Sequence, residues 1–138
     1  MLEAAFSHFG FSPDAGWGQP GFFRDVIANQ TVRGPIVSTF SKMDTVVGTV
    51  YALASHLAHD RLQAIGGAAD PYGGIGHNGA QRTPESIAIR LHQQGQPYRF
   101  CPGMLTCLDG SAGLITSHAD VTNAHVTYAI ASAICTAA

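Results

Sequence analysis

The apolar pattern of this chain changes its period at one point. Residues 33 to 44 read RGPIVSTFSKMD, and their short run of β-branched and aromatic residues is typical of a buried strand. Beyond this run the apolar residues are three or four positions apart, at Val46, Val50, Leu53 and Leu57. That spacing places them on one face of a helix. The sequence therefore predicts a strand that ends near Asp44 and a helix directly after it.

The same order returns near the end of the chain. Residues 104 to 118, MLTCLDGSAGLITSH, form an apolar stretch broken at Asp109-Gly110, which predicts one or two short strands. Thr122 or Asn123 can then cap a helix. The predicted core face of this helix is Val126, Ile130 and Ile134. Strands that alternate with helices indicate an α/β fold with about three parallel strands flanked by helices.

Two segments rich in glycine and proline separate these units. Residues 9 to 30 begin as a loop and end in a short helix, and residues 65 to 84 hold six glycines and two prolines in a long irregular loop. Residues 84 to 95, PESIAIRLHQQG, are predicted to form a further helix, with proline in its first turn and glycine at its end. With 138 residues, 46% of them hydrophobic, the chain fits a single domain, 1 to 138.

Charge and cysteine content exclude several classes of protein. Seven Lys and Arg are scattered among nine Asp and Glu, so the sequence predicts no basic face for nucleic acid. The cysteines at 101, 107 and 135 form no C-x-x-C pair and are expected to be reduced, mostly buried thiols, which suits the cytoplasm. The sequence shows no signal-peptide pattern and no run of membrane-spanning length, so no membrane partner is expected.

Asp44 and His118 occupy matching positions, each at the carboxyl end of a predicted strand and just before a helix. Ligands of open α/β sheets bind at that edge. An aspartate there can accept the Nδ1 proton of a histidine and leave Nε2 free as a general base. Spacing alone leaves two alternatives open, because Asp44 is also suited to cap its helix and His118 can be a loop histidine bonded to backbone.

A nucleophile for such a pair is not evident in the sequence. The Gly-x-Ser-x-Gly elbow of α/β-hydrolases is missing, and the nearest segment, DGSAG at 109 to 113, predicts a turn residue at Ser111. Cys101 and Cys107 follow no strand-to-helix turn and have no basic neighbour that would activate them. We therefore expect no nucleophile within this chain.

Metal and cofactor motifs are likewise not predicted. His56 and His59 are three apart on a predicted helix, but SHLAHD lacks the carboxylate of H-E-x-x-H, so a solvated surface pair is the favoured interpretation. The loop DPYGGIGHNG is not followed by Lys-Ser/Thr, so it is not a phosphate loop. No metal and no cofactor is expected.

Three segments together resemble the C-terminal half of a bacterial branch of the α/β-hydrolase superfamily. They are RGPIVSTFSKMDTVVGTVYALASHLA, DPYGGIGHNGAQRTPE and ITSHADVTNAHVTYAIASAI, and LEAAFSHFGF is similar to the strand and lid entry that precede the acid strand. The resemblance covers nearly the whole chain. It implies that Asp44 is the acid and His118 the base of a Ser-His-Asp triad, and that Asp120 is structural. It also implies that Trp17 and Phe22 belong to a lid-like, substrate-side loop.

The same resemblance implies a missing N-terminal half, because the elbow and early strands of that family precede a segment like LEAAF. A half sheet exposes an unpaired edge, so we expect self-association or binding to a complementary N-terminal half. Two functions follow as hypotheses. The chain supplies acid and histidine for ester, thioester or amide hydrolysis when a partner supplies the serine, or it is an inactive structural or interaction module. On either hypothesis the isolated chain is expected to be inactive.

Overall fold

A computed structural model describes residues 1–16, 18–58 and 70–137. The strands are β1 (Ile36–Phe40), β2 (Ser86–Arg90) and β3 (Leu105–Asp109). The helices are α1 (Arg24–Ala28), α2 (Ala52–Ala58), α3 (Ile75–Asn78) and α4 (Ala124–Ala137). A π-helical segment, Val46–Tyr51, runs directly into α2, and a 3-10 turn, Asp120–Thr122, precedes α4. The predicted mixed α/β class is confirmed.

The sheet is parallel, and β3 is its central strand in the order β1-β3-β2. At the carboxyl edge Phe40 and Arg90 are both in register with Asp109. β3 contributes Leu105 and Cys107 to one apolar cluster and Leu108 to a second cluster. Since alternate residues of a strand face opposite sides, β3 is buried on both faces. The loops that follow β1 and β3 therefore leave the sheet side by side.

The helix predicted for residues 84 to 95 is wrong, because Ser86–Arg90 form the edge strand β2. Ile87, Ile89 and Leu91 are two residues apart, which is the period of a strand. Ile89 and Leu91 pack into the second apolar cluster, and the backbone of β2 pairs with β3 along its whole length. Tertiary pairing here outweighs the terminal proline and glycine signals.

The predicted buried face of the helix after β1 is also wrong. Its four apolar residues are all exposed: Val46, Val50, Leu53 and Leu57. The buried positions are instead Val47, Gly48, Ala52 and His56. Gly48 lies so close to the His77 ring that a β-carbon at this position would be 2.4 Å from Nδ1. The π-helical segment thus turns small residues toward α3, where close approach requires them.

Helix α4 is capped as predicted but rotated from its predicted face. The Asn123 side-chain oxygen accepts the N–H groups of His125 and Val126, both at 3.0 Å. Val126 and Ala129 are buried, whereas Ile130 and Ile134 are exposed. The side of α4 that packs on the sheet therefore carries alanine, and two isoleucines remain beside the sheet edge.

Two smaller expectations are also changed, and a third is confirmed. Of the three cysteines, all free, only Cys107 is buried, and Cys101 and Cys135 are exposed. The described part of the glycine-rich loop contains the short helix α3. The predicted short helix at the end of residues 9 to 30 is confirmed as α1.

Candidate active site

Asp44 lies in the connection between β1 and the π-helical segment, and its side chain is completely buried. Its Oδ1 accepts the N–H of Val47 at 2.9 Å, which caps the helix start. Its Oδ2 lies 2.8 Å from Nδ1 of His118. Asp44 therefore caps the helix with one carboxylate oxygen and contacts His118 with the other.

His118 lies in the loop that follows β3. Gly110 donates its N–H to the carbonyl of Phe40, and Ser41 Oγ donates to the carbonyl of Ile115, so this loop is tied to the end of β1. The His118 side chain is 43% exposed, while its Nδ1 faces the buried Asp44. When Nδ1 carries the proton, Nε2 is the basic nitrogen of the ring.

Asp120 fixes the loop that holds His118. Its Oδ2 accepts the N–H and the hydroxyl of Thr116, each at 3.1 Å, and its Oδ1 accepts from Asn123. These hydrogen bonds lower the pKa of the Asp120 carboxyl, the Thr116 N–H most strongly. They connect the loop after β3 with the cap of α4.

Glu3 is a third group of this site, and it is not among the residues predicted from the sequence. Its side chain is fully buried, and its Oε2 lies 3.9 Å from Nδ1 of His118. Residues 1–3 follow the outer edge of β1: the Met1 amino group donates to Val37, and Thr39 donates its N–H back to the Met1 carbonyl. The Glu3 N–H donates to Thr39 Oγ1 at 3.1 Å. The signal for Glu3 was a carboxylate inside the apolar segment MLEAAF.

Both carboxylate oxygens of Glu3 are buried, and no N–H or hydroxyl group of the described residues donates a hydrogen bond to them. The backbone of Glu3 has φ of 37°, in the left-handed region that a non-glycine residue seldom adopts. Burial, and then the nearby Asp44 carboxylate, raises the pKa of Glu3 to about 8. Glu3 is therefore a strained, buried and neutral carboxyl beside the Asp44–His118 pair.

Replacing Glu3 by Gln is expected to stabilise the metal-free protein at pH 8 and to leave it little changed at pH 5. The folded chain keeps a proton on Glu3 up to a pKa of about 8, whereas the unfolded chain releases it near 4.5. Because the folded state binds more protons in this interval, the free energy of unfolding falls as pH rises from 4.5 to 8. Glutamine carries no such proton. Urea unfolding at pH 5, 6.5 and 8, with EDTA present, should show a gain that grows by about 3 to 4 kcal/mol from pH 5 to pH 8.

Glu85→Gln is the matched control. The Glu85 carboxylate accepts two hydrogen bonds from Arg24, each at 2.7 Å, and this pairing lowers the pKa of Glu85. It is therefore ionised in both folded and unfolded chains above pH 5. Its substitution should shift the free energy of unfolding by a similar amount at pH 6.5 and 8. A pH-independent effect of Glu3→Gln would show that Glu3 is ionised in the folded chain.

The predicted turn role of Ser111 is consistent with its contacts. Its hydroxyl donates to Asp109 and accepts the N–H of Lys42, and it makes no hydrogen bond with His118. The buried Cys107 accepts the N–H of Ala80, and burial raises the pKa of its thiol, so it is a poor nucleophile. Neither residue is placed to be activated by the Asp44–His118 pair.

The segment expected to lie on the substrate side is only partly described. Trp17 lies outside the described residues. Phe22 is 92% exposed and lines an apolar cavity of about 410 Å³. Its other lining residues are Phe6, Ser7, Phe9, Gly10, Ala15, Pro20, Gly21 and Phe23. Asp44, His118 and Glu3 are not among them, so Phe22 and the candidate pair do not share this cavity.

His56 belongs to a second buried polar cluster, so its predicted surface position is wrong, and His59 lies outside the described residues. Nε2 of His56 lies 2.9 Å from Oδ1 of Asp70, and both side chains are fully buried. Asp70 Oδ1 also accepts the N–H of Tyr72. The nearby ring of His8 is buried and accepts from Asn78, and burial lowers the pKa of His8 to about 4. This cluster joins α2, the segment before α3 and the N-terminal segment.

Comparison of the chain with protein-family models, curated proteins and solved structures finds no match. Within residues 1–16, 18–58 and 70–137, no helix is long and apolar enough to cross a membrane.

Proposed function

We propose that this chain supplies the acid and the base of a serine-hydrolase triad, as an α/β-hydrolase-derived part whose serine comes from a complementary polypeptide. The observation that carries the proposal is the 2.8 Å contact between Asp44 Oδ2 and His118 Nδ1 at the carboxyl edge of a parallel sheet. That edge is where open α/β sheets bind their ligands.

The environments of the two groups suit these roles. Asp44 is buried and held by the helix cap, so it can keep the imidazole in one orientation and stabilise the imidazolium that forms. The 43% exposed ring of His118 can offer Nε2 to a hydroxyl brought by another chain. In this mechanism Nε2 takes the serine proton as the oxygen attacks an acyl carbon, and returns it to the leaving group.

A capping function alone does not account for this geometry. An aspartate that only caps a helix needs one oxygen, and Oδ1 of Asp44 already fills that role. The second oxygen is buried and directed at a histidine from a loop 74 residues further along the chain. Such a long-range, partly exposed Asp–His pair is an arrangement suited to general-base catalysis.

The test is activity of the chain alone and with the polypeptide encoded directly upstream of it. Hydrolysis of a p-nitrophenyl ester and labelling by a fluorophosphonate serine probe are measured for each component and for the co-purified complex. The proposal expects both signals only in the complex, with the label on a serine of the upstream polypeptide. Labelling of a serine in this chain, or an upstream polypeptide without a Gly-x-Ser-x-Gly elbow, would contradict it.

A second candidate function is an inactive interaction module, and one surface favours it. An apolar notch of about 200 Å³ lies between the edge of β1 and α4. Its lining is mainly apolar and includes Met1, Leu2, Val37, Ile130 and Ile134. An apolar notch beside a sheet edge is a suitable binding surface for a second copy or for a helix of a complementary half.

Replacing Ile134 by Glu tests this surface. Ile134 is 65% exposed, so a carboxylate here costs the monomer little, but it would be desolvated in an interface. We expect sedimentation velocity to show at least about tenfold weaker association for this variant. Leu57→Glu is the control, because Leu57 is 61% exposed on α2 and does not line the notch. If Leu57→Glu alone dissociates the assembly, association uses α2 and the notch is not the interface.

A further inference from the structure

We propose that Glu3, Asp44 and His118 form a binding site for a single Zn²⁺ ion. Each of these described residues offers one potential ligand atom, and the three atoms all lie within 4.8 Å of one another. Two carboxylates and one imidazole are ligands that Zn²⁺ accepts. This inference goes beyond the proposed hydrolase function, because binding of zinc requires no serine and no second chain.

The unpaired carboxylate of Glu3 is the observation that points to an ion. Its two oxygens are buried without any hydrogen bond from a described residue, although burial of an unpartnered carboxyl is costly. The group faces the other two ligands, with Oε2 at 3.9 Å from Nδ1 of His118. A cation between these groups would displace the Glu3 proton, and its charge would neutralise the carboxylates of both Glu3 and Asp44.

The spacing of the ligand atoms is compatible with one shared ion. Atoms bound to Zn²⁺ at about 2.0 to 2.2 Å from the metal lie about 3 to 4 Å apart. The observed separations are 2.8 Å between Asp44 Oδ2 and His118 Nδ1 and 3.9 Å between Glu3 Oε2 and the same nitrogen. Small side-chain adjustments therefore suffice. The exposed side of His118 leaves a direction of entry from solvent.

Zinc binding has a chemical consequence for the Asp44–His118 pair. Nδ1 can either donate its proton to Asp44 or coordinate a metal with its lone pair, but not both. On coordination the neutral ring carries its proton on Nε2, and this nitrogen is then no longer a base. Bound zinc would therefore inhibit the proposed general-base function.

The experiment is calorimetric titration of the metal-free chain with ZnCl₂, in a Cys101→Ser, Cys135→Ser background that removes the two exposed thiols. We expect one ion per chain, with affinity lowered at least about tenfold by Glu3→Gln and by Asp44→Asn. Glu85→Gln, which alters a carboxylate paired with Arg24, should bind as the parent does. Excess Mg²⁺, which prefers oxygen ligands, should not displace the zinc.

Equal affinity of Glu3→Gln and the parent would place the zinc on other ligands and overturn the proposal, as would the absence of binding. A measurement on the parent chain covers the case in which a variant does not fold. Zinc should shift the ring ¹⁵N resonance of Nδ1 of His118 and leave the rings of His92 and His125 unchanged. Zinc can bind even if no complementary half yields activity, so failure of either proposal is seen separately.

Discussion

Replacing His118 by Ala is expected to lower ester hydrolysis by the assembled enzyme at least about 10³-fold, and mainly through kcat. General-base removal of the serine proton accounts for about 10² to 10⁴ in rate, and the remaining groups act as one unit with the histidine. The measurement is steady-state hydrolysis of a p-nitrophenyl ester by the co-purified complex. Substrate contacts made by other residues are unchanged, so KM should vary little.

Loss of His118 also leaves Oδ2 of the buried Asp44 without its donor, which we expect to cost about 1 to 2 kcal/mol of stability. Circular dichroism and urea unfolding of each variant therefore accompany the kinetics. His118→Gln retains a side-chain donor and the fold but has no basic nitrogen, so it should be as inactive as the alanine variant. Full activity in a folded His118→Gln complex would refute the assignment of His118 as base.

Asp44→Asn separates the two functions of Asp44. An asparagine oxygen can still accept the N–H of Val47, so the helix cap is expected to survive. The amide cannot stabilise an imidazolium and can hold the ring in the other tautomer, which we expect to cost about 10³- to 10⁴-fold in kcat. His125→Gln is the matched control, because this half-buried ring accepts the N–H of Gln94 and lies outside the pair.

The strand-to-helix order of this sequence predicted which residues lie at the carboxyl edge of the sheet. β1 and α4 fall where periodicity places them, and Asp44 follows β1 as predicted. His118, predicted at a strand end, lies instead nine residues beyond the end of β3, and the loop after β3 brings it to Asp44. The strand β2 was not predicted, because Ile87 and Ile89 show the two-residue period of a strand over only a short segment. Pro84 and Gly95, at the two ends of residues 84 to 95, favoured a helix instead. Local sequence patterns do not reveal the pairing with the distant strand β3, which determines that this segment is a strand.

The buried polar residues were not predictable from periodicity. His56 and Leu57 are adjacent, and apolarity alone favours Leu57 for the core, yet His56 is buried and Leu57 exposed. The reason is Asp70, which offers His56 an acceptor that no local pattern reveals. Glu3 was missed for a similar reason, since its importance depends on Asp44 and His118, which are distant in the chain.

Asp70→Ala is expected to destabilise the protein by about 3 kcal/mol or more. Oδ1 of Asp70 lies 2.9 Å from the fully buried Nε2 of His56 and accepts the N–H of Tyr72. Removing one partner of a buried polar pair leaves the other desolvated without compensation, which typically costs about 3 to 5 kcal/mol. Urea unfolding at pH 7 measures the loss, and hydrogen exchange should show reduced protection in α2 and α3.

Two comparisons identify the cause of that loss. Asp25→Ala removes an exposed acid from the first turn of α1 and should cost about 0.5 kcal/mol, so a comparable effect of Asp70→Ala would contradict the buried-pair interpretation. Asp70→Asn keeps an oxygen acceptor for both donors and should recover more than half of the lost stability. Since Asp70 pairs with His56 whereas His118 pairs with Asp44, a folded Asp70→Asn complex should retain its kcat, which separates the stabilising His–Asp pair from the proposed catalytic one.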